Sequence, residues 1–445
     1  MSGEECFEIL EKIFVPKKKE DIEDVKGYTI KYGHIVENLE KYENCEIPEN
    51  AVLDEVLVSY FKKPKSYTTE NMCEINTHGG NLVVKKILEL CLKNGAEMAE
   101  PGEFTKRAFL NGRIDLLQAE SVIDIIDAKS EKELRAGMNQ LEGRLSRKIH
   151  EIKKKIMDVM VNVEVDIDYP EYDLDEVTVS EIENMLENVS KDLYCLEKSF
   201  EDGKLLKDGV KTAIIGKPNA GKSSLLNCIL NEDRAIVTEI EGTTRDTIEE
   251  FVTIEGVPLK LIDTAGIHEA KDEVERIGIL KSKDAANDAD LVIAILDSSR
   301  DLSIEDKEIL QIIKGKKAIL VLNKIDLNPV IDENTPEIQN SCKYIIKMST
   351  LKQEGLEKLY KIIGNMFSME EISVDNANVI TNIRQKNLIH KAYKICVDAK
   401  NSLNMPLDII AIFLKEILEN LGEITGEIVT DDIINEIFSK FCLGK

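Results

Sequence analysis

Tryptophan is missing from this chain of 445 residues, histidine occurs only five times, and aromatic residues reach just 5%. Basic residues are outnumbered by acidic ones. The 58 Lys plus Arg against 84 Asp plus Glu leave a net charge of −26, the wrong sign for a protein that grips a phosphate backbone over a broad face. Any nucleic acid is therefore met locally or through a partner. No apolar run approaches the roughly 18 residues that cross a bilayer. The opening Met1-Ser-Gly-Glu-Glu-Cys6 is acidic and has no apolar stretch of the secretory kind, so nothing suggests export. The nine cysteines include no CxxC pair and no Cys/His set with zinc spacing. This argues against a disulfide framework and a structural zinc site, and fits reduced thiols in a cytoplasm.

What remains is the composition of a globular chain, 43% hydrophobic and 32% charged, with length for about three domains of roughly 150 residues. Residues 1–112 mix β-like stretches (Tyr28 to Tyr32, Asp54 to Tyr60, Asn71 to Asn76) with a helical one from Asn81 to Lys93, which predicts a small α+β domain. From 113 to 207 apolar residues recur at helical spacing, as in Ile149, Ile152, Ile156 and Met160. The acidic, proline-containing stretch Asp166 to Glu176 is expected to interrupt them as a loop. Over 208–370 short apolar runs alternate with helical segments: Thr212 to Ile215, Thr247 to Ile254, Leu259 to Ile262, Leu291 to Leu296, Ala318 to Leu322 and Tyr344 to Met348. That alternation predicts a mostly parallel sheet covered on both faces, with a hairpin at Glu255-Gly256 adding one antiparallel edge strand. Helical texture returns over 371–445. The α/β block then reads as an insertion, its flanks forming the two parts of one helical domain in a multidomain α/β chain.

Within the inserted block, Gly216-Lys-Pro-Asn-Ala-Gly-Lys222-Ser223 matches GxxxxGKS between a strand and a helix. Glycines let the backbone wrap so that its N–H groups face phosphate oxygens. The Lys222 ammonium neutralises β/γ charge, and the Ser223 hydroxyl suits Mg²⁺. Asn219, Ala220, Gly221 and Ser224 complete this phosphate-contacting stretch. Asp263-Thr264-Ala265-Gly266 and Asn323-Lys324-Ile325-Asp326 stand at the carboxyl ends of strands, where ligands of open α/β sheets collect. Asp263 suits the second shell of Mg²⁺ and the Gly266 N–H a γ-phosphate. The Asp326 carboxylate offers two acceptors side by side, matching two adjacent donors of guanine that adenine lacks, so GTP is expected.

In this order and spacing, GKPNAGKS, EGTTRD, DTAG and NKID resemble a translation-factor-class GTPase domain of Ras-like P-loop type. Met348-Ser349-Thr350-Leu351 stands where that class has a loop supporting the base, with Thr350 in place of the usual Ala. Ras-like enzymes orient the attacking water with a glutamine after the DxxG glycine. Ile267 occupies that place here and can neither donate nor accept. The four motifs alone would also suit a ribosome-assembly GTPase, but neither flank is basic.

Gly242-Thr-Thr-Arg-Asp246, Asp272-Glu-Val-Glu-Arg-Ile-Gly278 and the terminal Phe441-Cys442-Leu443-Gly444-Lys445 resemble the MnmE (TrmE) family of tRNA-modifying GTPases, over essentially the whole chain. The resemblance implies that Glu275 positions the hydrolytic water. It implies a K⁺ ion held by Asn219 and the carbonyls of Thr238, Ile240 and Thr243, with the Thr244 hydroxyl on Mg²⁺ and Glu239, Glu241 and Gly242 in the nucleotide loop. K⁺-dependent pairing of two GTPase domains would drive hydrolysis. Pro101-Gly-Glu-Phe-Thr-Lys-Arg-Ala-Phe-Leu-Asn-Gly-Arg113 and Asn76-Thr-His78-Gly-Gly80 are similar to the family's N-terminal domain. That domain binds 5,10-methylenetetrahydrofolate, or 5-formyltetrahydrofolate as an analogue, and forms the homodimer. Glu74, Arg113 and Lys445 would meet the folate, and Cys442 would belong to the reaction centre. An FAD-dependent partner of the MnmG/GidA type, in a heterotetramer, would hold most of the tRNA. The product would be the 5-carboxymethylaminomethyl, or aminomethyl, group on a wobble uridine. The family's further N-terminal strand and glycine-rich turn have no counterpart before Ser2-Gly3. Either the start codon is misassigned or the folate site is crippled; the first is the expectation, because losing that strand would expose unpaired backbone and apolar surface.

Overall fold

The computed structural model describes residues 1–18, 26–42, 48–168, 179–230, 250–262, 283–367, 379–442 and 444. It divides into two compact units, Met1–Ile123 with Gly422–Lys445, and Asp124–Leu421.

The first unit opens with α1 (Cys6–Glu11), β1 (Phe14–Pro16), β2 (Thr29–Val36), β3 (Val52–Phe61) and β4 (Met72–Asn76), followed by α2 (Asn81–Lys93) and α3 (Glu103–Leu110). The strands form an antiparallel sheet in the order β1-β2-β3-β4. Because side chains alternate along a strand, Val56, Val58 and Tyr60 of β3 share a face with Cys73 of β4. This face closes a core with Phe7, Leu10, Ile87, Leu90 and Cys91 of the helices. The three anticipated stretches fall on β2, β3 and β4. β1 has only three residues, too few for alternation to show in the sequence.

α4 (Leu116–Ile126), α5 (Glu131–Leu141), α6 (Arg144–Asp168) and α7 (Val179–Asp208) follow. α6 contains Asp166, Ile167 and Asp168, where the acidic composition predicts a loop. A buried stripe through Ile149, Ile152, Ile156 and Val163 carries the helix past them.

The sheet of the second unit is built from β5 (Val210–Gly216), α8 (Lys222–Leu230), β6 (Glu250–Ile254), β7 (Val257–Ile262), β8 (Leu291–Asp297), α9 (Ile304–Ile313), β9 (Ala318–Asn323), α10 (Pro336–Gln339), β10 (Tyr344–Lys347) and α11 (Leu356–Met366). The strand order is β10-β9-β8-β5-β7-β6, parallel throughout except β6, which pairs antiparallel with β7 at the edge through the turn at Glu255-Gly256. Every residue of β8 is buried, and its alternation serves two cores. Leu291, Ile293 and Ile295 pack with Leu225, Leu226, Leu359 and Ile363 on one side. Val292, Ala294 and Leu296 pack with Ile309, Leu310 and Ile313 on the other. At roughly 1.5–3 kcal/mol for each large apolar side chain buried, these two cores hold the strand ends in place.

α12 (Ile383–Asn401), α13 (Leu407–Thr425) and α14 (Asp431–Ser439) complete the chain. α12 runs antiparallel along α7: His390 Nδ1 meets Glu197 at 2.7 Å, Tyr393 meets Tyr194 with ring centroids 5.9 Å apart, and Lys400 meets Glu187 at 3.6 Å. In the first unit, Ile434 and Phe438 of α14 pack with Ala119 and Phe441. Among the described residues, no helix is long and apolar enough to cross a membrane.

Candidate nucleotide-binding site

β5 ends at Gly216, and the chain turns through Lys217-Pro-Asn-Ala-Gly221 into α8, which begins at Lys222. A Cβ on Gly216 would lie 2.6 Å from the Ile295 carbonyl oxygen of the neighbouring strand. Gly221 has φ +109°, and a Cβ there would lie 2.1 Å from Asn323 Nδ2, so this position requires glycine twice over. Asn219 also has positive φ, at +63°, and its side chain is exposed at the rim. Lys222 folds back over the loop and donates to the carbonyls of Gly216 at 2.7 Å and Lys217 at 2.9 Å. Burial pulls its pKa below the ordinary lysine range, a penalty on the ammonium that an adjacent anion offsets. Ser223 and Ser224 stand exposed on the first turn of α8, where helix N–H groups lack intrahelical acceptors. Lys217 points away from the loop, donating to Ser303 at 2.8 Å and Glu305 at 3.1 Å at the start of α9.

The far wall comes from the ends of β9 and β10. Asn323, 1% exposed, donates from Nδ2 to the Ala220 carbonyl at 2.9 Å and to Thr350 Oγ1 at 3.1 Å, and accepts the Thr350 N–H at 3.0 Å. One amide therefore fastens the glycine loop to the 349–350 loop. Ser349 is fully buried and donates to Asp326 Oδ1 at 2.6 Å. That bond, together with Lys352 and Lys324 nearby, holds the Asp326 carboxyl below the usual carboxylate range, so it stays ionised at neutral pH. Lys324 has φ +66°, and its ammonium meets Asp297 Oδ2 at 2.7 Å. Asp297 belongs to none of the sequence motifs. Its position at the carboxyl end of β8, next to the strand carrying NKID, was the available signal.

The site thus brings together Asn219, Ala220, Gly221, Lys222, Ser223, Ser224, Asn323, Lys324, Asp326, Ser349 and Thr350, from positions far apart in the chain. A family model described as the N-terminus of the GTP-binding protein TrmE matches residues 1–113, and one for the MnmE helical domain matches 116–442. The chain belongs to the MnmE family of tRNA-modification GTPases. A protein of that name from Clostridioides difficile is 48% identical over 449 residues, across 100% of this chain and 95% of the relative. Counterparts from Acetivibrio thermocellus and Thermoanaerobacter pseudethanolicus are 47% and 49% identical, again across 100% of this chain and 95% of theirs. Among solved structures, the G domain of the T. maritima FeoB iron transporter is 29% identical over 36% of this chain and 98% of that one, with a TM-score of 0.25.

Several residues expected at the site lie outside the described residues: Thr238, Glu239, Ile240, Glu241, Gly242, Thr243, Thr244, Asp263, Thr264, Ala265, Gly266, Glu275 and Lys445. In the first unit, Glu74 is exposed on β4. It lies opposite Ser59, itself opposite Ile30, while Leu57 pairs with Tyr32 and Asn76 on the same face. Ile30 is 64%, Leu57 46% and Tyr32 39% exposed, so the carboxylate stands on an open apolar face. Arg113 donates to the Tyr67 carbonyl at 2.9 Å with its guanidinium 4.6 Å from the Tyr67 ring centroid, which fixes its plane. Cys442 is exposed immediately after the buried Phe441, and its carbonyl accepts the Gly102 N–H at 3.3 Å.

Proposed function

We propose that the chain hydrolyses GTP to GDP and phosphate as the gating step of tRNA modification. With an FAD-dependent partner of the MnmG/GidA type it forms the 5-carboxymethylaminomethyl, or aminomethyl, group on a wobble uridine. The observation carrying this reading is the Asn323 staple, which joins a phosphate-type glycine loop to the 349–350 loop, whose Ser349 holds the ionised Asp326. Backbone N–H groups of 219–224 and the Lys222 ammonium would take the phosphates. Asp326 would accept the two adjacent guanine donors, flanked by the 349–350 loop.

The buried ammonium of Lys222, the exposed Ser223 hydroxyl and the rim position of Asn219 fit a polyanion with its counterions. Ser223 and Thr244 would hold Mg²⁺, with Asp263 behind it. Asn219 and the carbonyls of Thr238, Ile240 and Thr243 would hold K⁺. Both ions supply positive charge beside the phosphates. Glu275 would orient the water that Ile267 cannot.

Residues 208–370 would be the hydrolytic domain, inserted between 113–207 and 371–445, a reading supported by the α7–α12 pairing. Residues 1–112 would bind tetrahydrofolate through Glu74 and Arg113, with Lys445 and Cys442, and would form the homodimer. The open face carrying Ile30, Tyr32 and Leu57 supports that role. A net charge of −26 supports a partner holding most of the tRNA, in a cytoplasmic setting.

In a GTPase assay, K⁺ should give faster turnover than Na⁺, and equal rates would remove the cation from the scheme. Mass spectrometry of wobble nucleosides from a strain lacking the gene should show loss of the modified uridine. An unchanged nucleoside profile would overturn the tRNA assignment.

A further inference from the structure

Asp297, the last residue of β8, and Ser298 after it hold the loop that carries NKID, and Ser299 in turn holds Asp297. Ser298 donates to the Asn323 carbonyl twice, from Oγ at 2.7 Å and from its N–H at 2.9 Å. Asp297, 8% exposed, accepts the Lys324 ammonium on Oδ2 at 2.7 Å, with Arg300 Nε 3.6 Å from the same oxygen. Its other oxygen, Oδ1, is filled by Ser299, through Oγ at 2.6 Å and the N–H at 3.0 Å. The carboxylate therefore cannot rotate without breaking two local bonds, and it presents one fixed oxygen to Lys324. Burial alone would raise the Asp297 pKa, but the bonds from Lys324 and Ser299 outweigh it and hold the carboxyl below its usual range.

Lys324 needs such an anchor. It sits between Asn323 and Asp326 with φ +66°, a left-handed backbone that a long side chain rarely adopts. Its four-carbon stem would sweep a wide arc unless its end were tied. Tied to Asp297, the ammonium end is held at the carboxyl end of β8, while the Lys324 backbone stands between the fastened Asn323 and the ionised Asp326.

We infer that Asp297, oriented by Ser299, is a positioning residue for guanine-nucleotide binding: it acts through Lys324, whose anchored stem forms one wall of the base pocket. This rests on the nucleotide site proposed above. The energy of a charge-assisted bond of this kind is equivalent to about ten- to hundredfold in an equilibrium constant, which bounds the affinity lost when Lys324 is released. In Asp297→Asn, either an amide N–H faces the ammonium or, once the amide flips, it faces the two Ser299 donors.

The test is titration of the full chain with a fluorescent GDP analogue, using Asp297→Asn, Lys324→Met and the double variant, with Ser299→Ala as a fourth protein. Asp297→Asn and Lys324→Met should each weaken binding at least about tenfold, and the double variant should bind no worse than the weaker single one, since both remove one interaction. Ser299→Ala should show a smaller loss in the same direction. A merely structural Asp297 would instead give losses that multiply in the double variant. That outcome, or affinity within twofold of wild type for Asp297→Asn, or unchanged affinity for Ser299→Ala, overturns the inference. Should the wild-type chain itself ignore the GDP analogue, the nucleotide site fails, a result distinguishable from failure of the clamp alone.

Discussion

Glu133 offers a test of how the helical segment docks on the nucleotide-binding sheet. It lies in the first turn of α5 and is 5% exposed. Its carboxylate accepts the Lys129 N–H at 2.7 Å, and its own N–H is capped by Ser130 at 3.1 Å. The same segment meets the β6–β7 hairpin, where the Lys129 ammonium lies over the Phe251 ring and Thr253 Oγ1 donates to the Lys129 carbonyl at 3.4 Å. Burial, with a contribution from Asp124, raises the Glu133 pKa from 4.5 to about 7 against the opposing pull of the Lys129 N–H and the Lys129 and Lys207 charges. At about 1.4 kcal/mol per pH unit, ionising it in the folded state costs about 3 kcal/mol more than in the unfolded chain. Because the folded value is the higher one, this group's contribution to stability is fully present below pH 4.5. It is lost as pH rises towards 7 and constant above. Glu133→Gln keeps an acceptor for the Lys129 N–H and never ionises. The variant should therefore be more stable than wild type at pH 8, by up to about 3 kcal/mol, with the gap closing towards pH 4.5. Urea unfolding of both proteins at pH 5 and pH 8 measures this. A gap that stays constant with pH, or a variant less stable at pH 8, would refute the reasoning.

Asn323→Ala removes three hydrogen bonds and leaves the Thr350 N–H without its acceptor. It should cost about 3 kcal/mol in unfolding experiments and weaken GDP binding, and a silent substitution would sink the staple. Gly221→Ala should reduce affinity for a GDP analogue more than about tenfold, since its Cβ meets Asn323 Nδ2 and φ is +109°. Because the Ser349 hydroxyl lowers the Asp326 pKa, Ser349→Ala should shift the acid limb of GDP binding to higher pH, checked by titrating affinity between pH 4 and 7. Glu275→Ala should abolish phosphate release from GTP while affinity is kept, measured by single-turnover hydrolysis alongside binding.

Sequence patterning alone located most of the α/β block, because a central parallel strand must be apolar on both faces. Leu291 to Leu296 and Ala318 to Leu322 could be little else once helical segments alternated with them. The Glu255-Gly256 turn placed the antiparallel edge for an equally local reason, since turn chemistry is carried by adjacent residues. The glycine loop was legible because its spacing is short. Longer-range features were not. The Asp166 to Asp168 end of α6 depends on a buried stripe that overrides an acidic local composition. The Asn323 staple and the Asp297 contact join residues that only strand order makes neighbours: β9 lies beside β8, β8 beside β5, and their carboxyl ends meet at one rim. A hydrogen bond such as Asn323 Nδ2 to the Ala220 carbonyl spans 103 positions in the chain, and no local propensity encodes it. Residue types and their spacing determined which chemistry the chain could hold, while sheet pairing decided which side chains meet to hold it.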